Sequence, residues 1–274
     1  MVILRLYLST YLINTVCNNL EDYAKFVDDL TIMEIIKIRD FIISLMQHQL
    51  NNITTQCNDI NFIINPIKCE GLYAIPRQRR RPIIFPDLQL EGRPLPLVHE
   101  AKLLGVYLNG QLTWDTHIDH LVAKANRSIF ILFRARKFGF NIQSLHTLYQ
   151  WYIRTGLEYA APVWHSSLTQ RDSDRLERIQ KRCFRIILNQ RYISYENALQ
   201  QLDAASLDRR TDLTVRFGRG LLRSPTYRHW LPPTMAQVHG RATRHGQRLR
   251  TVICRTERYR KSTIPYIVRK LNEL

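Results

Sequence analysis

The stretch Lys25-Phe26-Val27-Asp28-Asp29-Leu30 places two adjacent carboxylates between apolar residues that favour β-strands. No glycine accompanies the acidic pair, and the apolar run resumes after it as far as Met33. The pattern predicts a β-hairpin with a tight acidic tip. Such a tip can present a divalent cation to phosphates, with Asp28 as the better metal ligand and Asp29 as its secondary neighbour. The alternative is a solvent-facing turn, in which Asp is common.

Phosphoryl-transfer chemistry at this hairpin requires a second carboxylate strand. Two metal ions about 4 Å apart stabilise the attacking and leaving oxygens, so their ligands converge from neighbouring strands. Only 27 residues precede Asp28, and Glu21 and Asp22 lie too close along the chain to arrive from a separate strand. The sequence therefore predicts half of a metal site and offers no candidate for the other half.

Composition predicts a folded protein with a polyanionic partner. The 274 residues are 45% hydrophobic, which suffices for a core, and carry a net charge of +17. Residues 1–170 hold a net charge of +3 and residues 171–274 hold +14. Nucleic acid is the expected partner, because no amphipathic anchor rich in Lys and Trp favours a membrane surface.

The cysteines and the apolar start both favour an intracellular protein, in the nucleus or the cytoplasm, that is not secreted. The five cysteines are dispersed and form no CxxC pair, which argues against a disulfide framework or a zinc module. Residues 1–17 are interrupted by Ser9 and Thr10, and no small-residue cleavage site follows them. The segment is also too short and too polar to span a membrane.

Hydrophobic periodicity divides the chain into an α+β part and a helical part. A helix is predicted over residues 34–56, a short strand over residues 61–64 and another over residues 67–73. Residues 83–108 are rich in β-forming residues, and residues 102–108 form the clearest strand among them.

Three further helices are predicted to begin at Asp115 or Thr116, at Ser144 and after Thr169, followed by an Arg-rich helical region over residues 194–223. The first of them is expected to bury Ile118, Leu121, Val122, Ala125, Ile129, Leu132 and Phe133. Aromatic residues in this region could stack on bases, but most are expected in the core: Trp114, Trp151, Tyr152, Tyr159 and Trp164.

Four arginines recur at helical spacing on one face of the third helix, with few acidic residues beside them: Arg175, Arg178, Arg182 and Arg185. This basic stripe favours contact with backbone phosphates, without recognition of the bases, over a plain solvated helix face.

Lys68 has two possible interpretations. It is either an ordinary lysine in a surface loop or a lysine that screens the charge of a departing pyrophosphate or donates a proton to it. His117 and His120 have metal-ligand spacing but lack a third ligand, so ordinary surface or capping histidines are expected.

Taken in order, several segments resemble the reverse transcriptase of non-LTR retrotransposons. Residues 24–29 resemble the family's aromatic-x-Asp-Asp palm motif, and residues 62–70 resemble its next palm motif. Residues 102–118 resemble the primer-grip hairpin and the entry to the thumb. Residues 157–164 and 176–182 look like its downstream helices, and residues 258–272 resemble the usual ending of the reading frame.

This resemblance implies RNA-directed DNA polymerisation, a nucleotidyl transfer, with Mg²⁺ at Asp28 and Asp29. Lys68 matches the lysine proposed in related polymerases as a general acid toward pyrophosphate, and Gly105 matches the primer-gripping turn. The implied partners are an RNA template and a DNA primer or another nucleic acid. No membrane and no small-molecule cofactor beyond metal and nucleotides is implied.

The expected fold class is α+β: an N-terminal fragment of a polymerase palm with β-hairpins, then a mostly α-helical thumb and basic C-terminal helices. We divide the chain into a partial palm over residues 1–75, a β-rich primer-grip-like segment over 76–112, a helical thumb-like region over 113–190 and a basic, mainly helical region over 191–274.

The chain departs from the family pattern upstream of the hairpin. The family's fingers, its first palm aspartate and its glutamine-glycine motif should all precede Asp28. We therefore expect a truncated polymerase that is inactive as an isolated chain. The alternatives are a non-catalytic nucleic-acid-binding remnant and a pseudogene-derived chain without function.

Overall fold

The computed structural model describes residues 2–7, 23–26, 29–34, 45–61, 64–75, 87–240 and 246–273. It contains two compact units, Met1–Thr116 and His117–Leu274. The first unit combines short antiparallel strands with a helix, and the described part of the second is mainly helical. This mixture agrees with the α+β expectation. The assignment of its parts to palm and thumb stays a prediction.

A four-stranded antiparallel sheet organises the first unit. Its strands are β1 (Val2–Tyr7), β2 (Tyr23–Phe26), β3 (Asp29–Glu34) and β4 (Glu70–Tyr73), in the order β2-β3-β1-β4. β1 thus lies between β3 and β4, as in a split βαβ arrangement.

The two strands of the predicted hairpin are confirmed, because β2 pairs with β3. Phe26 lies opposite Asp29, so two residues connect the strands. Those residues, Val27 and Asp28, lie outside the described part of the chain.

Both faces of this sheet are covered. Successive side chains of each strand point to opposite faces, so apolar residues are present on both of them. Leu30 and Ile32 of β3 are fully buried against helix α1 (Met46–Asp59). On the other face, Leu72 packs with Ala101. The α1 residues in this core recur at helical spacing: Met46, Leu50, Ile53 and Cys57. The described helix begins at Met46 rather than at residue 34, and residues 35–44 of the predicted helix lie outside the described residues.

The strand predicted over residues 67–73 is wrong in its first part. Pro66–Lys68 form a single 3₁₀ turn, and β4 begins only at Glu70. The Asn65 side chain accepts a hydrogen bond from the Ile67 amide at 3.1 Å, and Pro66 fixes the backbone for the turn.

Two small hairpins follow β4 in the first unit. Their strands are β5 (Gln89–Leu90), β6 (Arg93–Pro94), β7 (Glu100–Leu103) and β8 (Val106–Asn109). The single strand predicted over residues 102–108 is therefore wrong. The chain reverses at Leu104 and Gly105, whose φ angles are +47° and +86°.

The helices downstream include two that begin where the sequence predicts. α2 begins at Asp115, and α6 follows Thr169, whose hydroxyl accepts a hydrogen bond from the Asp172 amide at 3.2 Å. The second predicted helix begins earlier than Ser144, because Asn141 provides the cap. The helices are α2 (Asp115–Lys137), α3 (Ile142–Leu148), α4 (Thr155–Glu158), α5 (Ala161–Trp164), α6 (Gln170–Leu188), α7 (Tyr195–Gln201), α8 (Arg210–Arg223), α9 (Met235–His239), α10 (Glu257–Arg260) and α11 (Thr263–Asn272).

A π-helical segment, Tyr149–Arg154, joins α3 to α4. Short 3₁₀ turns occur at His165–Ser167, Asn189–Arg191, Leu207–Arg209 and Arg228–Trp230. The helical region predicted over residues 194–223 is two helices, α7 and α8, with a break between them.

A buried amide connects three segments of the second unit. The Gln180 side chain of α6 accepts a hydrogen bond from the Tyr149 hydroxyl at 2.7 Å. Its nitrogen donates to the Tyr195 hydroxyl at 2.9 Å and to the Ala205 carbonyl at 3.0 Å. These partners satisfy both polar atoms of the buried Gln180 amide. The amide thereby fixes the positions of the π segment and α7 relative to α6.

Gly218 allows α8 to pack closely on α11. A Cβ atom at this position would lie 2.5 Å from Ile267 Cγ2, and Ile267 is fully buried and β-branched. We predict that Gly218→Ala lowers the free energy of unfolding, measured by urea denaturation, by about 1 to 3 kcal/mol. Gly220 is the matched control, since it lies in the same helix with open space around it. Gly220→Ala is expected to raise stability by up to about 1 kcal/mol. Equal effects of the two substitutions would contradict this account of the helix contact.

Candidate nucleic-acid interface

The sheet brings the acidic hairpin and the Lys68 segment to the same end. Arg5 of β1 is paired with Thr31 of β3 on one side and with Glu70 of β4 on the other. Because all pairings are antiparallel, β3 and β4 both begin at this end. Asp29 is the first residue of β3, and Lys68, which is exposed, lies two residues before β4. Asp28 lies outside the described residues.

The residues beside Asp29 do not fit a two-metal Mg²⁺ site. Tyr7 of β1 lies opposite Asp29, and no Asp or Glu occurs in Val2–Tyr7. Within the described ranges, no three or more His, Cys, Asp or Glu side chains are grouped to hold a metal ion. The carboxylates of a two-metal site must converge from neighbouring strands, and β1 supplies none.

Gly105 occupies the second position of the two-residue β7–β8 turn. Positive φ angles at both central residues match the twist of the flanking strands, and glycine adopts them without a Cβ penalty. The hairpin by itself therefore explains this glycine. Contact between Gly105 and a primer stays a prediction.

The basic stripe of α6 consists of one internally paired arginine and three that reach solvent. Arg175 is paired with Asp119 and with Asp172, the latter at 3.2 Å, and the hydrogen bond to Asp119 raises the pKa of Arg175. Arg178 is exposed and pairs with no carboxylate among the described residues.

The other two solvent-facing arginines make weaker contacts. Arg182 is exposed and donates to the Asn126 side chain at 3.3 Å, while the Arg185 guanidinium lies 5.4 Å from the Tyr192 ring. Neither contact neutralises charge, so Arg178, Arg182 and Arg185 remain able to contact phosphate.

α2 and α6 lie side by side and run parallel. Asp119 contacts Arg175, and seven residues later Asn126 contacts Arg182. Further along, the Arg136 guanidinium donates to the Ile186 carbonyl at 2.8 Å, at the end of α6. Seven residues make two helical turns, so the α2 face that includes Asn126 continues through residues 130, 133 and 137, past the last arginine of the basic stripe.

The C-terminal part of α2 and the residue after it carry exposed aromatic and basic side chains, an arrangement that we call the α2 row: Phe130, Phe133, Arg134 and Lys137 in the helix, and Phe138 directly after it. The Arg134 guanidinium lies 5.8 Å from the rings of both Phe130 and Phe138. The Lys137 ammonium lies 4.8 Å from the Phe133 ring. The exposed fractions of Phe130, Phe133 and Phe138 are 58%, 44% and 73%. The prediction that Phe133 is a core residue is therefore wrong.

Three of the aromatic residues expected in the core are exposed instead. Trp151 is 77% exposed, and Tyr152 and Tyr159 are about half exposed. In the π segment, Tyr149 and Ile153 face the core, and the wider turn leaves the residues between them outside. Trp164, in contrast, is fully buried, as expected.

His117 is a core residue rather than a surface, capping or metal-binding one. It is fully buried, with its ring edge-on to Trp164 at 5.5 Å between centroids. Burial, helped by the neighbouring charge of His120, lowers the pKa of His117 to about 4. The folded protein therefore holds this imidazole neutral near pH 7.

The described cysteines Cys57, Cys69, Cys183 and Cys254 form no disulfide bond with one another, and Cys17 lies outside the described residues. None of the helices in the described ranges is both long enough and apolar enough to cross a membrane.

Comparison with protein-family models, curated proteins and solved structures found no match to this chain.

Acid should destabilise the second unit through His117. Between about pH 6.5 and pH 4 the unfolded imidazole binds a proton that the folded one does not, so stability falls as pH falls. The expected loss by the lower pH is about 3 kcal/mol, measured as the free energy of urea unfolding. His117→Gln should flatten this pH dependence without abolishing it, because burial also lowers the pKa of His146. An unchanged slope in the variant would contradict the assignment.

Proposed function

We propose that this chain corresponds to the palm-hairpin, primer-grip and thumb portion of a non-LTR retrotransposon reverse transcriptase. By itself it binds nucleic acid through phosphate contacts and does not polymerise nucleotides. The expected partners are an RNA template and a DNA primer, as the resemblance of the ordered motifs implies.

The observation that carries the polymerase origin is the arrangement of the four-stranded sheet. The β2–β3 hairpin, with Asp28 in its connection and Asp29 at the start of β3, shares one end of the sheet with the segment that contains Lys68. The β7–β8 hairpin with Gly105 follows in the order that the resemblance requires. The residues that the resemblance assigns to separate motifs thus belong to separate elements, which supports the proposal.

The absence of polymerase activity follows from the strand beside the hairpin. β1 pairs along the whole of β3 and is the neighbour from which a second carboxylate would come. Its six residues include no acid. A single carboxylate strand leaves the attacking and leaving oxygens without a shared pair of metal ions, so the transition-state charge is not stabilised.

Phosphate binding requires less geometry than catalysis, and the second unit meets its requirements. Arg178, Arg182 and Arg185 are exposed on one face of a 19-residue helix. Contacts of this kind depend on charge and position but not on sequence, so binding should be sequence-blind and salt-dependent.

A primer-extension assay tests the catalytic half of this proposal. The purified chain is supplied with an RNA template, an annealed DNA primer, Mg²⁺ and deoxynucleotides. We expect no extension above background, because β1 offers no metal ligand. The Asp28→Asn variant should give the same background. Extension by the unmodified chain that disappears in Asp28→Asn would overturn this part of the proposal.

Charge reversal on α6 tests the binding half. Arg178→Glu combined with Arg182→Glu should weaken binding to duplex DNA by at least about tenfold and lower the salt slope of log Kd by about 2. Fluorescence anisotropy at several salt concentrations measures both quantities. Arg216→Glu combined with Arg219→Glu is the matched control, since both residues are exposed on α8 and the change in net charge is identical. Equal losses from the two pairs would show that α6 is not the interface.

A further inference from the structure

We infer that the α2 row binds unpaired bases, so that the second unit prefers single-stranded over double-stranded nucleic acid. This inference rests on the proposed function and adds the form of nucleic acid that the surface recognises. It concerns the rings of Phe130, Phe133 and Phe138 together with the cations between them.

The exposure of these rings requires an explanation. A large apolar side chain at a helix surface loses the free energy that burial would supply, and a contiguous exposed apolar patch marks a binding site. Phe138 is 73% exposed and Phe130 is 58% exposed, while Ile131 beside them is 42% exposed. Within the second unit α2 buries its opposite face, which includes Ala125, Ile129 and Leu132. Among the described residues, therefore, nothing buries the rings of the row, although the opposite face of α2 is packed.

The charge around the row favours an anionic occupant. Between Asp119 and Glu158 the chain contains no acidic residue and six basic ones: Lys124, Arg127, Arg134, Arg136, Lys137 and Arg154. Arg136 and Arg154 make internal contacts, with the end of α6 and with Glu158. Arg134 and Lys137 instead lie over phenylalanine rings at the surface, where they make no ion pair among the described residues.

The alternation of rings and cations distinguishes nucleic acid from a protein partner. A protein that covered this patch would desolvate Arg134 and Lys137 and would have to supply a carboxylate for each of them. A nucleic acid strand has a phosphate at every nucleotide and an aromatic base beside it. Both components of the α2 row therefore find partners in one repeating ligand.

The rings further distinguish a single strand from a duplex. Bases in a duplex are stacked on each other, and their faces are unavailable to a protein side chain. Phe130 lies in α2, and Phe138 directly follows the helix, with its amide donating to the Arg134 carbonyl at 3.0 Å. The two residues are therefore about 12 Å apart along the helix axis, with Arg134 midway. Unpaired bases have free faces and a flexible backbone, so they can stack on successive rings while phosphates approach the cation between them.

The position of the row next to the α6 stripe makes one continuous surface. Asn126, which accepts a hydrogen bond from Arg182, lies on the α2 face that leads to Phe130 and Phe133. A strand that follows α2 therefore has the exposed arginines of α6 alongside it. The arginines supply affinity for any nucleic acid, and the rings add selectivity for an unpaired strand.

The test compares two labelled probes with the full chain: an oligothymidylate of about 20 nucleotides and a blunt duplex of about the same length. Phe130→Ala combined with Phe138→Ala should weaken oligothymidylate binding by at least about tenfold, because stacking on each base is lost. Duplex affinity and the salt slope should stay unchanged. Phe130→Leu combined with Phe138→Leu should weaken oligothymidylate binding as much as the alanine pair does. Phe130→Trp combined with Phe138→Trp should bind oligothymidylate as tightly as the unmodified chain.

Tyr227→Ala combined with Trp230→Ala is the matched control, because these two aromatic residues are also about half exposed. It should leave oligothymidylate binding unchanged. The inference is overturned if this control loses as much affinity for oligothymidylate as the Phe130 and Phe138 alanine pair. It is also overturned if the leucine pair binds oligothymidylate as tightly as the unmodified chain. A third contradicting result would be an alanine pair that still binds both probes but no longer self-associates in sedimentation, because the rings would then contact a second copy of the chain. Failure of the unmodified chain to bind either probe would contradict the proposed function itself, which is a different result from loss of single-strand preference alone.

Discussion

The parallel alignment of α2 and α6 is the constraint on which the candidate interface depends. It is maintained by contacts at both ends: Arg175 between Asp119 and Asp172, and Arg136 at the last carbonyls of α6. Asp119 and Asn126 of α2 are seven residues apart, and so are their partners on α6, Arg175 and Arg182. Exposed ion pairs contribute little to stability individually, so their main effect here is to set register. If α6 were shifted by one residue relative to α2, the exposed arginines and the phenylalanines would face different sides of the helix pair.

Binding and catalysis impose very different demands on a chain of this kind. A two-metal site needs carboxylates from separate strands within a few ångströms of each other, and β1, the strand paired with β3, contains no acidic residue. Phosphate binding needs only exposed cations on a rigid element, and α6 provides them on a stable amphipathic helix. The two requirements are therefore separable, because a surface can bind phosphates without holding a pair of metal ions.

The interior of the second unit combines apolar packing with a few buried polar side chains. Gln180 makes hydrogen bonds to two tyrosine hydroxyls and a carbonyl, which fixes one arrangement of the helices around it. His117 is stabilised in its neutral form by burial against Trp164. These groups favour a single arrangement of the helices in the interior of the second unit.

The sequence by itself determined the features that depend on local pattern. The strand pairing of the hairpin and the start of α6 after Thr169 both follow from strand and capping patterns within a few residues. The tertiary structure decided which side chains of those patterns find a partner. Phe133 has the spacing of a core residue but is exposed, and Arg175 has the spacing of the basic stripe but is paired with Asp119, which is 56 residues away. Periodicity identifies the face of a helix, but burial and charge pairing depend on what the rest of the chain places against that face.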